Sequence, residues 1–367
     1  MNRRNKNNVH QLAITIASFF GSVFFRESFG RKCVSYGSDK LNESENAGRI
    51  ILIGTPEYPN IGDQAIAMAS VAFFNEFFPE YQIIEITNEQ LFPENRGEWI
   101  NRVKSKDVIA VSGGGYMGDV WSDMSTDMLE TIRLLKHNKI IMMPQTFYYR
   151  DKETEAAEMK ELMDMENVLI LHRGDKKESR LIECEKNKIF CPDMCLYFPV
   201  QRKRRCRLNK SILCLRSDKE SLLEDSSKRY IEETLQKNNL APIYTDNVVD
   251  RIIGRSERGK EVKYRMYVYA HAGLIVTDRL HTMIFAYLSH TPCIAINSLT
   301  GKTEAMYEWI KKSERIAYIN DIETEFNSDT IRRVMKGRAD MMQFPEIKQS
   351  FEDMASIIRR HIESEDR

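Results

Sequence analysis

Short apolar runs rich in Ile, Val and Leu alternate with longer helical patterns, and this alternation limits the fold more than any other feature. The first run, Ile51–Gly54, is followed by a polar loop and then by a helical pattern over Gln64–Phe78. Short continuous apolar runs are typical of strands buried on both faces, as in parallel sheets covered by helices. The alternation therefore predicts an α/β protein with doubly wound parallel sheets.

The same alternation recurs through both halves of the chain, so each half has the elements of a doubly wound domain. Strands are predicted in the first half at Tyr81–Ile86, Val108–Val111, Ile140–Met143, Val168–Leu171 and Ile189–Phe190. In the second half they are predicted at Ser211–Leu215, Pro242–Tyr244, Leu274–Thr277 and Cys293–Ile296. Further helices are predicted at Asp123–Asn138, Tyr230–Asn238, Val262–His271 and Met283–Leu288.

The length of 367 residues exceeds the size at which one hydrophobic core keeps growing, so two domains are expected. A turn-rich segment before Arg49 and a basic run after Pro199 mark the boundaries. The predicted order is an N-terminal apolar helix and linker (1–48), an N-terminal α/β domain (49–200), a basic linker (201–210), a C-terminal α/β domain (211–328) and C-terminal helices (329–367) with a break at Phe344 and Pro345.

The N-terminal segment places Arg3, Arg4 and Lys6 ahead of an apolar stretch, Leu12–Phe25. A membrane-spanning helix needs about 20 apolar residues, and this stretch is shorter and interrupted by polar residues. We expect an amphipathic helix that packs on the protein or on a partner. A membrane-surface anchor and a secretory signal are the two alternatives.

Charge and cysteine content exclude some classes of protein. The 54 basic and 54 acidic residues cancel, so the chain lacks the overall positive charge expected of a nucleic-acid-binding protein. The seven cysteines are scattered, without a CxxC pair or a histidine at ligand spacing. This pattern predicts reduced thiols, a cytoplasmic location and no metal site.

The basic linker contains six Lys or Arg side chains within residues 201–210. Such a run is most often a solvated connection. Contact with anionic lipid or a lipid-linked phosphate is the first alternative, because each charge gains about 1 kcal/mol near an acidic membrane. Nucleic acid is disfavoured because aromatic residues do not alternate with the charges. Peripheral contact with the inner face of the cell membrane is left open.

The segment Asp278-Arg279-Leu-His281 directly follows the apolar run Ile275–Thr277 and then becomes helical. Open α/β sheets bind ligands at the carboxyl ends of their strands, and the N-terminus of the following helix favours an anion. Histidine titrates near neutrality, so His281 is a candidate general acid or base. An anionic substrate is expected at this strand end.

Two more arginines, Arg173 and Arg216, also follow predicted strands. The planar fork of arginine suits both carboxylate and phosphate. Each of these residues alone is more often part of a structural ion pair. Convergence of Arg173, Arg216 and Arg279 on one cleft would fit a substrate that carries both anionic groups.

The loop after the first strand contains Asn60, Gly62 and Asp63 and leads into a helix. Asn60 or Asp63 can cap that helix, and Gly62 permits a tight turn. Capping alone would explain Asp63. Its position at a strand end leaves acceptor binding or proton transfer as the functional alternative.

A run of three glycines, Gly113, Gly114 and Gly115, follows another predicted strand. Glycines expose backbone N–H groups to an approaching ligand. Because the run lacks both a GxGxxG pattern and a Walker lysine, close ligand approach is favoured over binding of a nucleotide phosphate.

Taken together, these motifs resemble those of the polysaccharide pyruvyl transferase family over about residues 49–312. The resemblance is specific because an Asn-x-Gly-Asp motif and an Asp-Arg-Leu-His motif occur together and in order. The residues that carry it are Gly54-Thr-Pro-Glu, Asn60-Ile-Gly62-Asp63-Gln-Ala-Ile, Gly113-Gly-Gly115, Pro144-Gln145, Arg173 with Ser179, Pro192-Asp193, Leu215-Arg216-Ser-Asp218, Thr277-Asp278-Arg279-Leu-His281, Thr291-Pro292-Cys293 and Gly301-Lys302.

The resemblance implies two Rossmann-like domains that face a cleft, as in GT-B glycosyltransferases, and the transfer of pyruvate from phosphoenolpyruvate onto a sugar as a ketal. It implies a polysaccharide or lipid-linked glycan as acceptor, and neither a cofactor nor a metal ion. The implied catalytic residues are His281, Asp63 and Arg279. The implied substrate-binding residues are Arg173, Arg216, Asp278, Lys302, Asn60, Gly62, Gly113, Gly114, Gly115 and Gln145.

Two positions depart from the family pattern. Thr282 stands where a small residue usually follows the histidine, and His290 stands where glycine often precedes Thr-Pro. These departures leave the acceptor sugar open. A nucleotide-sugar-dependent glycosyltransferase on the same scaffold and a non-catalytic scaffold of a glycan-assembly complex are the alternative functions. The oligomeric state is not predicted.

Overall fold

The computed structural model describes most of the chain beyond the N-terminal segment. The described residues are 35–36, 48–174, 182–185, 187–200, 208–340 and 342–364. The predicted apolar helix at Leu12–Phe25 and positions 201–207 of the predicted basic linker lie outside the described residues, as does Ser179.

The chain forms two compact units. The first unit comprises Lys32–Phe198, Asp250–Gly259 and Phe344–Arg367, and the second includes Pro199–Val249 and Lys260–Gln343. The main division falls between Phe198 and Pro199, two residues before the predicted boundary.

The first unit contains a sheet of nine strands within the described residues, in the order β1-β3-β2-β4-β6-β7-β9-β8, with β5 paired to β6. All pairings are parallel except β8 with β9. The strands are β1 (Ser35–Tyr36), β2 (Gly48–Thr55), β3 (Tyr81–Thr87), β4 (Val108–Val111), β5 (Gly114–Gly118), β6 (Lys139–Tyr148), β7 (Val168–His172), β8 (Ile182–Glu185) and β9 (Lys188–Phe190).

Five α-helices belong to the described part of the first unit, together with short 3-10 turns at Glu89–Leu91 and Met194–Tyr197. The helices are α1 (Ile61–Phe77), α2 (Pro93–Ile100), α3 (Ser122–Leu134), α4 (Lys152–Asp164) and α11 (Pro345–Glu363).

The second unit has a five-stranded parallel sheet in the order β11-β10-β12-β13-β14. Its strands are β10 (Lys210–Cys214), β11 (Ala241–Tyr244), β12 (Leu274–Thr277), β13 (Cys293–Ile296) and β14 (Ile316–Ile319). The helices that follow these strands are α5 (Asp225–Lys237), α6 (Arg255–Ala270), α7 (Leu280–Leu288), α8 (Lys302–Ile310), α9 (Ile322–Glu325) and α10 (Ser328–Lys336).

The prediction of two α/β domains built on parallel sheets is confirmed. The central strands of the first sheet are buried on both faces, because adjacent residues such as Ile50 and Ile51 are both 0% exposed. Isoleucines from several strands of this sheet enter the same hydrophobic cluster, including Ile84, Ile109 and Ile140. Full burial of such a side chain stabilises the fold by about 1.5–3 kcal/mol.

The C-terminal helix α11 is part of the first unit, an assignment that the sequence did not predict. The Phe351 ring packs within 6.3 Å of Phe73 in α1 and within 5.2 Å of Tyr197. Arg359 donates to Glu80 at 2.6 Å and lies 4.9 Å from the centre of the Phe78 ring. These contacts explain why the chain beyond the predicted break at Phe344 returns to the first sheet.

In the described parts of the chain, we find no helix with the length and apolar character needed to cross a membrane.

The close contact of β5 with β6 gives a test of the fold. Gly118 has a φ of +118°, and a Cβ atom there would lie 2.0 Å from the Tyr148 carbonyl oxygen. We expect Gly118→Ala to lower the free energy of unfolding by about 2–4 kcal/mol, because the backbone must move. Gly97, in α2, is the matched control since a Cβ there meets nothing within 4 Å. Gly97→Ala should be neutral or stabilise by up to about 1 kcal/mol. Equal losses in chemical denaturation would contradict the close approach.

Candidate active site

The second sheet brings three polar segments to one edge. Strands β11, β10 and β12 are neighbours and parallel, so the segments that follow Tyr244, Cys214 and Thr277 leave the sheet on the same side. Ligands in open α/β sheets bind at this carboxyl edge. Strand adjacency therefore explains why Arg216 and Arg279 lie close together despite their separation in sequence.

Three cations meet here through shared carboxylates. Asp218 accepts from Arg216, with Nε 2.8 Å from Oδ1, and lies 3.5 Å from the Arg279 guanidinium. Glu220 pairs both with Arg216, at 2.8 Å, and with Lys302, at 2.6 Å. Arg216, Arg279 and Lys302 thus lie in one ion-pair network of the second unit, and the predicted convergence of Arg173 with Arg216 and Arg279 stays a prediction.

Arg279 has a second acidic partner, Asp246, on the loop after β11. Its Nε lies 2.7 Å from Oδ1 and its Nη2 lies 2.8 Å from Oδ2, so the carboxylate contacts two nitrogens of the guanidinium. Burial lowers the pKa of Arg279, but neighbouring groups, with Asp246 first and Asp218 among the others, together outweigh it and raise that pKa above its ordinary value. The guanidinium is therefore held charged in one orientation.

Asp278 is the most deeply buried acid of this group, at 1% exposed. Its Oδ1 accepts the backbone N–H of Arg216 at 2.9 Å. Burial raises the pKa of Asp278 to about 6, against the opposing effects of that hydrogen bond and of the Arg216 and Arg279 charges. The carboxyl of Asp278 therefore changes its charge near neutral pH.

His281 is the second residue of α7 and is partly exposed. The chain enters this helix through Thr277, whose Oγ1 accepts the backbone N–H of Arg279 at 2.9 Å and donates to the Cys214 carbonyl oxygen at 2.7 Å. The first turn of a helix presents free N–H groups, which favour an anion. His281 therefore lies where a proton donor would face an anionic group.

In the first unit, Asn60 caps α1, because its side chain accepts the backbone N–H of Gly62 at 3.0 Å. Asp63 lies in the first turn and is not the cap. The Tyr58 side chain hydrogen-bonds Asp63, and burial together with that carboxylate raises the pKa of Tyr58 well above its ordinary value. Tyr58 thus stays protonated and donates to Asp63, which the capping explanation does not account for.

Arg173 is 1% exposed and pairs with Asp193, which is also fully buried. Asp193 caps the 3-10 turn at Met194–Tyr197 by accepting the backbone N–H of Cys195 at 2.7 Å. The ion pair therefore connects the end of β7 to this turn. Arg173 belongs to the first unit, and its substrate contact stays a prediction.

The glycine run has a structural cause. A Cβ atom at Gly113 would lie 2.6 Å from the Pro144 carbonyl oxygen, and one at Gly114 would lie 3.1 Å from the Tyr116 ring. Gly114 pairs with the buried Gln145 across β5 and β6. Close packing of neighbouring strands thus accounts for Gly113, while the ligand contacts predicted for Gly113, Gly114, Gly115, Gly62 and Gln145 stay predictions.

Sequence reasoning did not select four residues that contact the candidate functional groups. Glu220 and Asp246 follow strands β10 and β11, Asp218 was noted only within a motif, and Tyr58 lies in the loop before α1. A search for acids after every predicted strand would have found Asp246, because it comes two residues after Tyr244. The hydroxyl of Tyr58 had no local signal in the sequence.

The raised pKa of Asp278 gives a pH test. The pKa of the Asp278 carboxyl is higher in the folded protein than in the unfolded chain. The protein therefore loses stability as the pH rises from about 4 to 6, and the loss is complete above pH 6. Asp278→Asn removes this loss and keeps an acceptor for Arg216. The free energy of unfolding of the variant, relative to wild type, should rise by about 1 kcal/mol from pH 5 to pH 7.5. Asp329→Asn, at an exposed acid, should show no such change. A constant difference between Asp278→Asn and wild type would contradict the burial effect.

Comparison with known proteins places this geometry in a family. A sequence model described as polysaccharide pyruvyl transferase matches residues 60–299, which include Asp63, Asp278, Arg279 and His281. General stress protein 30 of Bacillus subtilis (strain 168) is 30% identical over 287 residues, which cover 75% of this chain and 82% of that protein.

Two further comparisons extend this result. Pyruvyl transferase 1 of Schizosaccharomyces pombe (strain 972 / ATCC 24843) is 23% identical over 276 residues, covering 69% of this chain and 67% of that protein. A solved structure of a functionally uncharacterized protein from Klebsiella pneumoniae subsp. pneumoniae NTUH-K2044 has a TM-score of 0.52 at 17% identity. The match covers 75% of this chain and 94% of the Klebsiella chain, and it supports the fold alone. From the family match and the relatives together, the chain belongs to the polysaccharide pyruvyl transferase family and is a polysaccharide pyruvyltransferase enzyme.

Proposed function

We propose that this enzyme takes its pyruvyl group from phosphoenolpyruvate and transfers it to a sugar of a polysaccharide or lipid-linked glycan precursor, forming a pyruvate ketal and releasing phosphate. The observation that carries the proposal is the convergence of Arg216, Arg279 and Lys302 in one ion-pair network. Phosphoenolpyruvate carries a carboxylate and a phosphate on one small molecule. Three adjacent cations suit both groups.

Binding of such an anion requires an exchange of ionic partners. The side chains of Asp218 and Asp246 are 28% and 16% exposed, whereas Glu220 is 2% exposed. Carboxylates near solvent cost the least to release from an arginine, because water solvates them as they leave. The substrate would therefore replace an exposed acid at Arg216 or Arg279, while Glu220 stays with Lys302.

The chemistry proposed for the donor begins with a proton. His281 donates it to the methylene carbon, and C2 gains cationic character as the first sugar hydroxyl attacks. A second hydroxyl of the sugar then bonds to C2 as the bond from C2 to the phosphate oxygen breaks, and phosphate leaves with that electron pair. The two hydroxyls lose two protons, and any proton taken up by the acceptor base is passed on: one proton finally restores His281 and the other leaves on phosphate. Arg216 and Arg279 would stabilise the leaving phosphate.

For the acceptor, we propose Asp63 as the base that takes a hydroxyl proton or orients the sugar. Support comes from its place in the first turn of α1, where Asn60 already fills the cap, and from the Tyr58 hydroxyl that donates to it. A carboxylate held by one donor keeps lone pairs for a substrate hydroxyl.

We also propose a cytoplasmic reaction that uses neither a cofactor nor a metal ion and serves assembly of the cell envelope or an exopolysaccharide. The basic residues of 201–210 provide charge for an anionic lipid or a lipid-linked phosphate. No nucleic acid is involved. Self-association stays open, as does the identity of the acceptor sugar.

Replacement of His281 tests the proposed reaction. The assay is phosphate release from phosphoenolpyruvate on addition of extracted lipid-linked glycans, with the product checked by mass spectrometry for a pyruvyl ketal. His281→Ala should lower turnover by about a hundredfold or more, because the proton donor is lost. Binding of phosphoenolpyruvate, measured by calorimetry, should change little, since the three cations remain.

The matched control is His137→Ala, at an exposed histidine of the first unit, which should retain wild-type turnover. Wild-type turnover in His281→Ala would contradict the assignment of the proton donor. Stabilisation of the wild-type protein by a nucleotide-sugar but not by phosphoenolpyruvate would contradict the proposed donor.

A further inference from the structure

A buried hydrogen-bond network joins four side chains in the second unit. The Asn247 amide donates from Nδ2 to the Thr282 hydroxyl at 2.9 Å, and its Oδ1 accepts from the Tyr269 hydroxyl at 2.7 Å. The Cys214 sulfur lies 3.2 Å from the Thr282 hydroxyl and 3.4 Å from that of Tyr269. Asn247 is 2% exposed and the other three are 0% exposed. We call these four residues the buried network.

Each of three network residues adjoins a charged group of the candidate site. Asn247 directly follows Asp246, Thr282 directly follows His281, and Cys214 lies two residues before Arg216. The network therefore connects the carboxyl ends of β10 and β11 and the first turn of α7. A shift in any of these segments would break a buried hydrogen bond, which costs more than an exposed one.

The loop that carries Asp246 is fixed along its length. The Thr245 N–H donates to the Leu213 carbonyl oxygen at 3.0 Å, and the Thr245 hydroxyl accepts from Arg265. The Val248 N–H donates to Asp246 Oδ1 at 3.0 Å. With Asn247 held in the network, Asp246 has little freedom to leave Arg279.

Asp218, the other exposed acid, is held differently. Its Oδ1 accepts the Glu220 N–H at 3.1 Å, and its carbonyl oxygen accepts the Ser221 N–H at 3.0 Å. Both contacts are local to one loop, and the side chain is 28% exposed. The two acids that contact Arg279 thus differ in how they are held: Asp246 lies on a loop tied to the buried network, whereas Asp218 is tied to its own turn and to Arg216.

We propose that Asn247, Thr282 and Tyr269 are positioning residues, which hold Asp246 against Arg279 so that the guanidinium keeps one orientation, and that Asp218 is the carboxylate that yields to the anionic substrate. This proposal rests on the proposed function, because it assigns the exchange of ionic partners with the substrate to one of the two acids, Asp218. It also gives Thr282 a role other than acceptor recognition, because a residue with no exposed surface does not contact an acceptor.

Substitutions at Thr282 distinguish the effect of its side-chain shape from the effect of its hydrogen bonds. Thr282→Val keeps the branched shape but removes the hydroxyl, so the Asn247 amide loses its acceptor. Thr282→Ser keeps the hydroxyl and removes one methyl group. Tyr269→Phe removes the other partner of Asn247 and provides a second test if Thr282→Val folds poorly. Tyr318→Phe, in β14 of the same unit, loses a hydroxyl bond to Asn297 at 3.0 Å and is the control.

The experiment uses the full-length chain and two measurements. Hydrogen exchange of the peptide that covers residues 244–250 reports the fixation of the loop without any substrate. Thr282→Val and Tyr269→Phe should exchange faster there than wild type, Thr282→Ser and Tyr318→Phe. The KM for phosphoenolpyruvate should rise about tenfold in the first two variants and kcat should also fall, since a misdirected guanidinium weakens both anion binding and stabilisation of the leaving phosphate. Thr282→Ser should restore most of that loss.

The outcomes distinguish this proposal from the proposed function. Unchanged exchange in Thr282→Val and Tyr269→Phe would overturn the network as the cause of loop fixation. Faster exchange with an unchanged KM would overturn its role in positioning Arg279. If the wild-type protein does not turn over phosphoenolpyruvate, the proposed function fails, and the exchange measurement alone then decides whether the network holds the loop.

Discussion

The balance of charge at one edge of the second sheet is the constraint on which the site depends. Arg216 and Arg279 are 7% and 6% exposed, and burial of an unpaired guanidinium would cost several kcal/mol. The loops that follow the strands carry acidic residues, so each arginine is charged and paired. A substrate with two anionic groups can then enter by exchange with an acid, rather than by filling a site whose charges would otherwise repel one another.

The same constraint explains which parts of the site the sequence revealed. Arg216, Asp278, Arg279 and His281 follow strongly apolar runs, and strand ends are where open sheets bind ligands. Glu220 and Asp246 were missed because a search for an anion-binding site looks for basic residues. A buried basic residue also needs an acidic partner, and that requirement was not used. Convergence of side chains depends on strand order, and the sequence alone does not define that order.

The sheets were predictable because continuous apolar runs require burial on both faces, as in β2 and β4. Helix α4 was not predicted, since Leu162 is its only buried residue and the apolar stripe that marks a helix is absent. Helix α6 begins seven residues before its predicted start. Helix α11 packs in the first unit through aromatic contacts with residues distant in sequence, and local sequence patterns do not reveal such contacts.

The two departures from the family pattern have local physical explanations. Thr282 is a member of the buried network. His290 has a φ of +57° just after α7 ends, a left-handed conformation that glycine adopts more readily. A glycine preference at that position therefore follows from helix termination. Neither residue needs an acceptor contact to explain it.

The most direct test of this account compares the two exposed acids in calorimetric binding of phosphoenolpyruvate to the wild-type, Asp218→Asn and Asp246→Asn proteins. Because Asp218 competes with the substrate, Asp218→Asn should bind phosphoenolpyruvate more tightly than wild type. Because Asp246 orients Arg279, Asp246→Asn should bind it more weakly. Equal tightening in both variants would contradict the distinction between the two acids, and an absence of binding to the wild-type protein would contradict the anion site itself.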